Sequence, residues 1–164
     1  MNKGVSKTMK NLEWAKKNFA SVCEALDNRK WNYDANEKDL TIECKVNGDD
    51  LVIDIEVQID ADRDIAILLS RMPYTVSDEK KGDLVRAVNF MNCCLAEGSV
   101  DYNYKKGFLC YRLANSYRES VMDPSVYDRM IMMSCNTVDD INEKLLLLSL
   151  GSLSLEEFKK QYQD

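Results

Sequence analysis

The stretch from Asn89 to Ala114 reads "NFMNCCLAEGSVDYNYKKGFLCYRLA" and holds three of the chain's six cysteines. Apolar residues at helical spacing predict that a helix beginning at Ser77 or Asp78 runs through its first part and stops at Gly98. The runs "VDYNY" and "FLCYRLANSY" then alternate in the manner of strands, and "KKG" joins them. The stretch therefore predicts a helix followed by a β-hairpin.

Upstream of this stretch, a helical pattern gives way to a period of two. Between Lys7 and Asn28 the pattern predicts an amphipathic helix that buries one stripe, namely Met9, Leu12, Ala15, Phe19, Val22, Cys23 and Leu26. The runs "LTIECKV" and "LVIDIEVQI" alternate apolar with polar residues, and Asn47-Gly48 between them predicts a tight turn. A third strand, "IAILLSRM", follows and is expected to end at Pro73.

Downstream, a long helix begins with Asp123 as its N-cap and Pro124 in its first turn, and it ends at Gly151. Ser154 and Glu157 have the spacing of a capping box, which predicts a short last helix.

The order of elements, α-β-β-β-α-β-β-α, predicts an α+β fold. Helices and half-exposed antiparallel strands suit a two-layer sandwich, with a sheet of about five strands and helices on one face. The 164 residues suit one domain, residues 1–164, with a short helical tail at residues 152–164.

Composition narrows the function. A net charge of −6 and a pI near 4.8 disfavour nucleic acid and anionic membranes as partners. No apolar run follows the N-terminus, and the longest one, "LLLL", is far too short to cross a membrane. The absence of histidine excludes catalytic triads and histidine-ligated metals. We therefore expect a cytoplasmic protein that is not an enzyme and has no cofactor or metal.

Two adjacent cysteines, Cys93 and Cys94, are the first candidates for a chemically active site. The helical pattern places Cys94 on the apolar stripe and Cys93 beside it, which predicts core packing. A helix C-terminus also disfavours a thiolate. The alternative is a reactive or metal-binding thiol pair.

Carboxylates supply the other candidate sites. Asp60, Asp62 and Asp64 have the spacing of half a calcium loop, but the loop's glycine and final glutamate are missing, so a turn is predicted. Asp54 and Glu56 share the polar face of a predicted strand, where acid–base catalysis would require a pocket.

Aromatic and methionine side chains indicate where a protein partner could bind. The aromatic group of the hairpin contains Tyr102, Tyr104, Phe108 and Tyr111. Tyrosine is common at interfaces because it joins apolar area to a polar tip, and packing in the core or at the sheet edge is the alternative use of these side chains. The last long helix adds an adaptable apolar group, for which the core is the expected place, made of Met122, Met130, Met132 and Met133.

The segment "LVRAVNFMNCCLAEGSVDYNYKKGFLCYRLA" resembles the YbjN family, whose domains have the type III secretion chaperone-like fold. The resemblance is carried by Asn89 and Asn92 in "VNFMN", the small loop at Gly98, the turn at Gly107 and the strand "FLCYRL". It implies no catalytic residues. It implies instead a regulatory or chaperone-like protein that binds a protein partner and forms a homodimer.

Three functions stay open on the sequence. The first is a non-enzymatic cytoplasmic protein-binding module, chaperone-like or regulatory, that acts as a dimer. The second is a thiol-based redox or sensor protein that uses Cys93 and Cys94. The third is an enzyme with Asp54 and Glu56 in a groove.

Overall fold

A computed structural model describes the backbone of residues 3–161 and the side chains of residues 11–161. Its helices and strands are α1 (Lys3–Asn28), β1 (Tyr33–Asn36), β2 (Thr41–Asn47), β3 (Val52–Asp60), β4 (Ile65–Thr75), α2 (Lys81–Asn92), β5 (Ser99–Asn103), β6 (Phe108–Ser116), α3 (Pro124–Leu150) and α4 (Leu155–Lys160). The fold is α+β with an antiparallel sheet, as predicted, and the sheet has six strands in the order β1-β2-β3-β4-β6-β5.

The sixth strand is β1, which the sequence analysis missed. Its residues, "YDAN", show no apolar alternation, because only the first of the four is even half-buried. In β3, by contrast, the predicted alternation is confirmed, and the buried side chains are Ile53, Ile55, Val57 and Ile59. A strand at the edge of a sheet needs no buried face, so its sequence lacks that signal.

Two element ends differ from the prediction. Strand β4 continues through Pro73 to Thr75, since proline's fixed φ suits an extended backbone and only its N–H is missing. Helix α2 ends at Asn92, six residues before Gly98, and a short 3-10 turn precedes it. Ser77 caps that turn only by position, because its side chain makes no capping hydrogen bond.

The remaining helix ends agree with the prediction. Asp123 accepts a hydrogen bond from the N–H of Ser125 at 2.9 Å, as an N-cap does. The capping box of Ser154 and Glu157 is present, and Gly151 has a φ of +77° just past the end of α3. Leu12, which the predicted stripe of α1 placed in the core, is 43% exposed.

Gly48 in the β2–β3 turn does not have the positive φ that the predicted turn would use. Neither Gly48 nor Asn47 has a positive φ. A Cβ added at Gly48 would instead lie 2.1 Å from Oδ1 of Asp139 on α3. The side chain of Asp139 therefore occupies the space beside this glycine.

The chain divides into two compact units. The first contains residues up to Lys45, Ile55–Leu69 and Leu113–Met133, and the second contains Val46–Asp54, Ser70–Arg112 and the residues from Ser134 onward. The expectation of a single domain over residues 1–164 stays a prediction.

In the first unit, the fully buried side chain of Asn18 ties α1 to the segment that precedes α3. Its Nδ2 donates to the carbonyl oxygens of Trp14, at 2.9 Å, and Ser120, at 2.8 Å. Its Oδ1 accepts from the N–H of Met122, at 3.0 Å, and the hydroxyl of Tyr127, at 2.8 Å. All four hydrogen bonds that a carboxamide can make are thus formed away from water.

In the second unit, another asparagine lies at the outer edge of β5. Asn92 donates to the carbonyl of Val100 at 3.0 Å and accepts from its N–H at 2.8 Å. Both backbone groups of Val100 therefore point away from β6, where Val100 is paired in register with Tyr111. The carboxamide of Asn92 takes the place that a further strand would occupy at this residue.

We predict that Asn18→Asp lowers the free energy of unfolding by roughly 2–4 kcal/mol, because a carboxylate cannot donate to the Trp14 and Ser120 carbonyls and its charge would be buried. Urea unfolding followed by circular dichroism measures the change. Asn32→Asp, at an exposed loop position, is the matched control and should change stability little. Equal stability of the two variants would contradict the prediction.

Candidate functional site

The tip of the β5–β6 hairpin presents a large aromatic side chain to solvent. Tyr104 is 66% exposed, and its ring lies 5.0 Å from the ring of Tyr102, edge to face at 73°. The turn is built locally, since Oδ1 of Asn103 accepts from the N–H groups of Lys105 and Lys106 at 3.1 and 3.0 Å. Tyr104 is thus held in position by its neighbours rather than by burial.

Cationic side chains lie near two other aromatic groups of the hairpin, the Phe108 ring and the Tyr102 hydroxyl. The guanidinium of Arg71 lies 5.5 Å from the ring centre of Phe108, a cation–π contact. The Lys81 ammonium has its pKa raised, chiefly by a hydrogen bond from the ammonium to Asp78 and to a smaller degree by the Tyr102 hydroxyl nearby. That hydroxyl is shielded from solvent and makes no well-formed hydrogen bond within the described residues.

Lys105 and Lys106 complete the group, and both are exposed. Within residues 11–161, neither ammonium group forms an ion pair. We call the group the hairpin-tip surface, and it consists of Lys81, Tyr102, Tyr104, Lys105, Lys106 and Phe108.

Of the four aromatic residues that the sequence nominated, Tyr111 lies elsewhere. Its side chain is fully buried, and its hydroxyl donates to the carbonyl of Glu97 at 2.8 Å. A Cβ at Gly98, where φ is +73°, would lie 2.3 Å from the same hydroxyl. Tyr111 therefore fixes the α2–β5 loop against the core and is not available to a partner.

The predicted core placement of Cys93 and Cys94 is wrong, because both thiols are exposed. Helix α2 ends at Asn92, so Cys94 lies past the last turn, where the helical stripe no longer applies. Each Sγ donates to a carbonyl of the preceding turn, Cys93 to Asn89 at 3.3 Å and Cys94 to Phe90 at 3.6 Å. Both thiols are therefore accessible from solvent.

The acidic candidates do not form a metal site. The predicted turn is confirmed, since Oδ1 of Asp60 accepts from the N–H groups of Asp62 and Arg63 at 3.0 and 2.9 Å. On β3, Asp54 is exposed and Glu56 is half-buried. Among the described residues, no group of three or more histidine, cysteine or acidic side chains is placed to hold a metal ion.

The methionines divide between core and surface. Met130 is buried, as expected, whereas Met122, Met132 and Met133 are half-buried. The backbone of Met122 is fixed by Asn18 and also by Ser21, whose hydroxyl donates to its carbonyl at 2.7 Å. These side chains form no continuous exposed surface of the kind seen at the hairpin tip.

In the first unit, a groove of about 470 Å³ lies beside the C-terminal half of α1. Its lining is mostly polar and consists of Glu24, Ala25, Asn28, Arg29, Asp123, Pro124, Ser125 and Asp128. Arg29 binds Asp128 across it and lowers the pKa of that carboxyl. The guanidinium and carboxylate thus neutralise each other, and the lining offers neither a thiol nor an apolar floor.

An acidic cluster that the sequence analysis did not consider lies at the β2–β3 turn. Oδ1 of Asp139 accepts from the N–H of Asp49 at 3.2 Å. Burial, and then repulsion from Asp49, Asp50 and Asp140, raises the pKa of Asp139. No local sequence pattern predicts this cluster, because it joins residues 90 positions apart in the sequence.

We predict that alkylation with iodoacetamide in native buffer labels two thiols, Cys93 and Cys94, because they alone are exposed among the six cysteines. Buried Cys44, Cys110 and Cys135 should react only after unfolding. Intact-mass spectrometry counts the labels. The double variant Cys93→Ser/Cys94→Ser should remain unlabelled over the time in which the wild-type protein takes up two labels. A wild-type protein that stays unlabelled until denatured would contradict the exposure.

We predict that Asp139→Asn raises the midpoint of thermal unfolding at pH 7. The raised pKa means that ionisation of Asp139 costs stability in the fold, so the penalty exists above that pKa and disappears as the pH falls through it. The asparagine keeps an oxygen for the N–H of Asp49. Scanning calorimetry should show the gain shrinking toward about pH 4. Asp62→Asn removes the same charge at an exposed turn, and an equal gain there would refute the prediction.

No described helix is long and apolar enough to cross a membrane.

Comparison with known proteins finds similarity to a solved structure and none by sequence. No protein-family model matches the chain, and no curated protein matches it by sequence. Membership of the YbjN family therefore stays a prediction. Among solved structures, a chain from the structure of the HopA1-SchA chaperone-effector complex is similar at 11% sequence identity and a TM-score of 0.49, over 90% of this chain and 94% of that chain.

Proposed function

We propose that this protein is a non-enzymatic module that binds another protein through the hairpin-tip surface. The observation that carries the proposal is Tyr104, which is two-thirds exposed and packs edge to face on Tyr102. A tyrosine pair presented in this way offers apolar area with a polar tip, and burying it against a partner gains free energy at little cost in side-chain entropy.

The fixed turn and the lysines of the surface support the same function. Asn103 and Gly107 fix the turn, so Tyr104 is preorganised for contact. Its lysines can bond to backbone carbonyls and carboxylates of a partner.

The finer parts of the proposal come from the sequence. They are a chaperone-like or regulatory role in the cytoplasm, membership of the YbjN family, organisation as one domain and action as a homodimer. A homodimer would display the hairpin-tip surface twice, which allows one partner chain to be held at two places.

A thiol-based sensor is the second candidate, and the exposure of Cys93 and Cys94 favours it. Each thiol donates to a backbone carbonyl at the end of α2, and neither hydrogen bond brings a general base to the sulfur. We therefore rank it below protein binding.

Photo-crosslinking tests the proposed function. With p-benzoylphenylalanine in place of Tyr104 in the producing cell, we expect one reproducible adduct to another protein, because the reactive ring then lies in the interface. Leu150 is the matched control, since it is also about two-thirds exposed at 68% but lies at the end of α3. The adduct should be absent there and should be lost from position 104 when Tyr102→Ala is added.

The same adducts at positions 104 and 150, or none at 104, would refute binding at the tip.

Sedimentation velocity of the purified protein measures the dimer, and a single species at the chain mass of 18.9 kDa would contradict that part alone.

A further inference from the structure

We propose that the hairpin-tip surface recognises an acidic segment of its partner, with carboxylates held by Lys105 and Lys106. The inference rests on the proposed function and specifies the chemistry of the partner. It starts from a contrast of sign, since the chain has a net charge of −6 while two exposed lysines, Lys105 and Lys106, directly follow the exposed Tyr104.

Two carboxylates beside residues of the hairpin-tip surface are already paired with cations. Asp78 forms an ion pair with Lys81. Asp101, on β5, is bound by Arg112 from the neighbouring strand, with Nε at 2.6 Å from Oδ2. Neither carboxylate is placed to cancel the charges of Lys105 and Lys106.

The two lysines are therefore available to a partner. Their backbone N–H groups are used by Asn103, but their ammonium groups form no ion pair within residues 11–161. Adjacent positions in a tight turn keep both charges at one end of the hairpin. An acidic segment would find two available cations beside an exposed tyrosine, whereas a basic segment would be repelled.

The edge of β5 indicates that side chains, rather than an added strand, make the recognition. Asn92 already occupies both backbone groups of Val100, so a strand cannot pair continuously along this edge. A partner segment would therefore contact the hairpin tip, where Tyr104 supplies apolar area and the lysines supply positive charge. Such a surface would recognise the side chains of a bound segment and would require little of its backbone conformation.

Fluorescence anisotropy of the full chain tests the inference with labelled peptides in which glutamate alternates with leucine, compared with peptides that have glutamine in place of glutamate. We expect the glutamate peptide to bind about tenfold more tightly at low salt, since each exposed pair adds little but several act together. The preference should fade as the ionic strength rises. The double variant Lys105→Glu/Lys106→Glu should lose the preference.

Lys30→Glu/Lys38→Glu is the matched control, because it changes the net charge equally at two exposed lysines far along the chain from the tip. Loss of the preference in this control as well would show a general charge effect and overturn the inference. Equal binding of both peptides, or no binding of either, would also overturn it. Tighter binding of single-stranded DNA or of phosphatidylserine vesicles than of the glutamate peptide would overturn it in favour of phosphate. None of these results changes the crosslinking at position 104, which tests the proposed function separately.

Discussion

The buried face of β3 is the constraint on which the fold depends. Four branched side chains alternate along it with polar ones. The sequence alone therefore gives the strand one apolar face and one polar face. Leaving a face of this kind in water would cost about 1.5–3 kcal/mol for each branched side chain, which is comparable in total to the stability of a small domain. Amphipathic helices supply matching apolar stripes, and an α+β fold with an antiparallel sheet follows.

Two asparagine side chains then decide how segments attach to this framework. Asn18 makes four hydrogen bonds that fix the approach to α3, and Asn92 binds both backbone groups of Val100. Such carboxamides add little net stability when satisfied, yet each is costly to leave unpaired, so they select one arrangement among many compact ones. The hairpin tip lies beyond these attachments. Tyr104, Lys105 and Lys106 are exposed there.

Much of the fold could be predicted because helix and strand periods are local properties. The long helices, the β2–β3 pair and the β5–β6 hairpin were all found. The misses occurred where no period exists or where it stops early. Strand β1 has no buried face, and α2 ends at Asn92 although its apolar pattern continues. Half of the candidate site was found as well, since the aromatic hairpin was singled out but not the lysines of its turn.

By itself, the sequence determined the class of fold, most element positions, the helix caps at Asp123 and Ser154, and the lack of histidine chemistry. Only the tertiary structure decided which aromatic residue of the hairpin is offered to solvent, Tyr104, and which is locked in the core, Tyr111. It also decided that Cys93 and Cys94 face water, and that the Asp139 carboxylate lies beside Gly48. Burial depends on contacts between residues far apart in the chain, and no local period reports them.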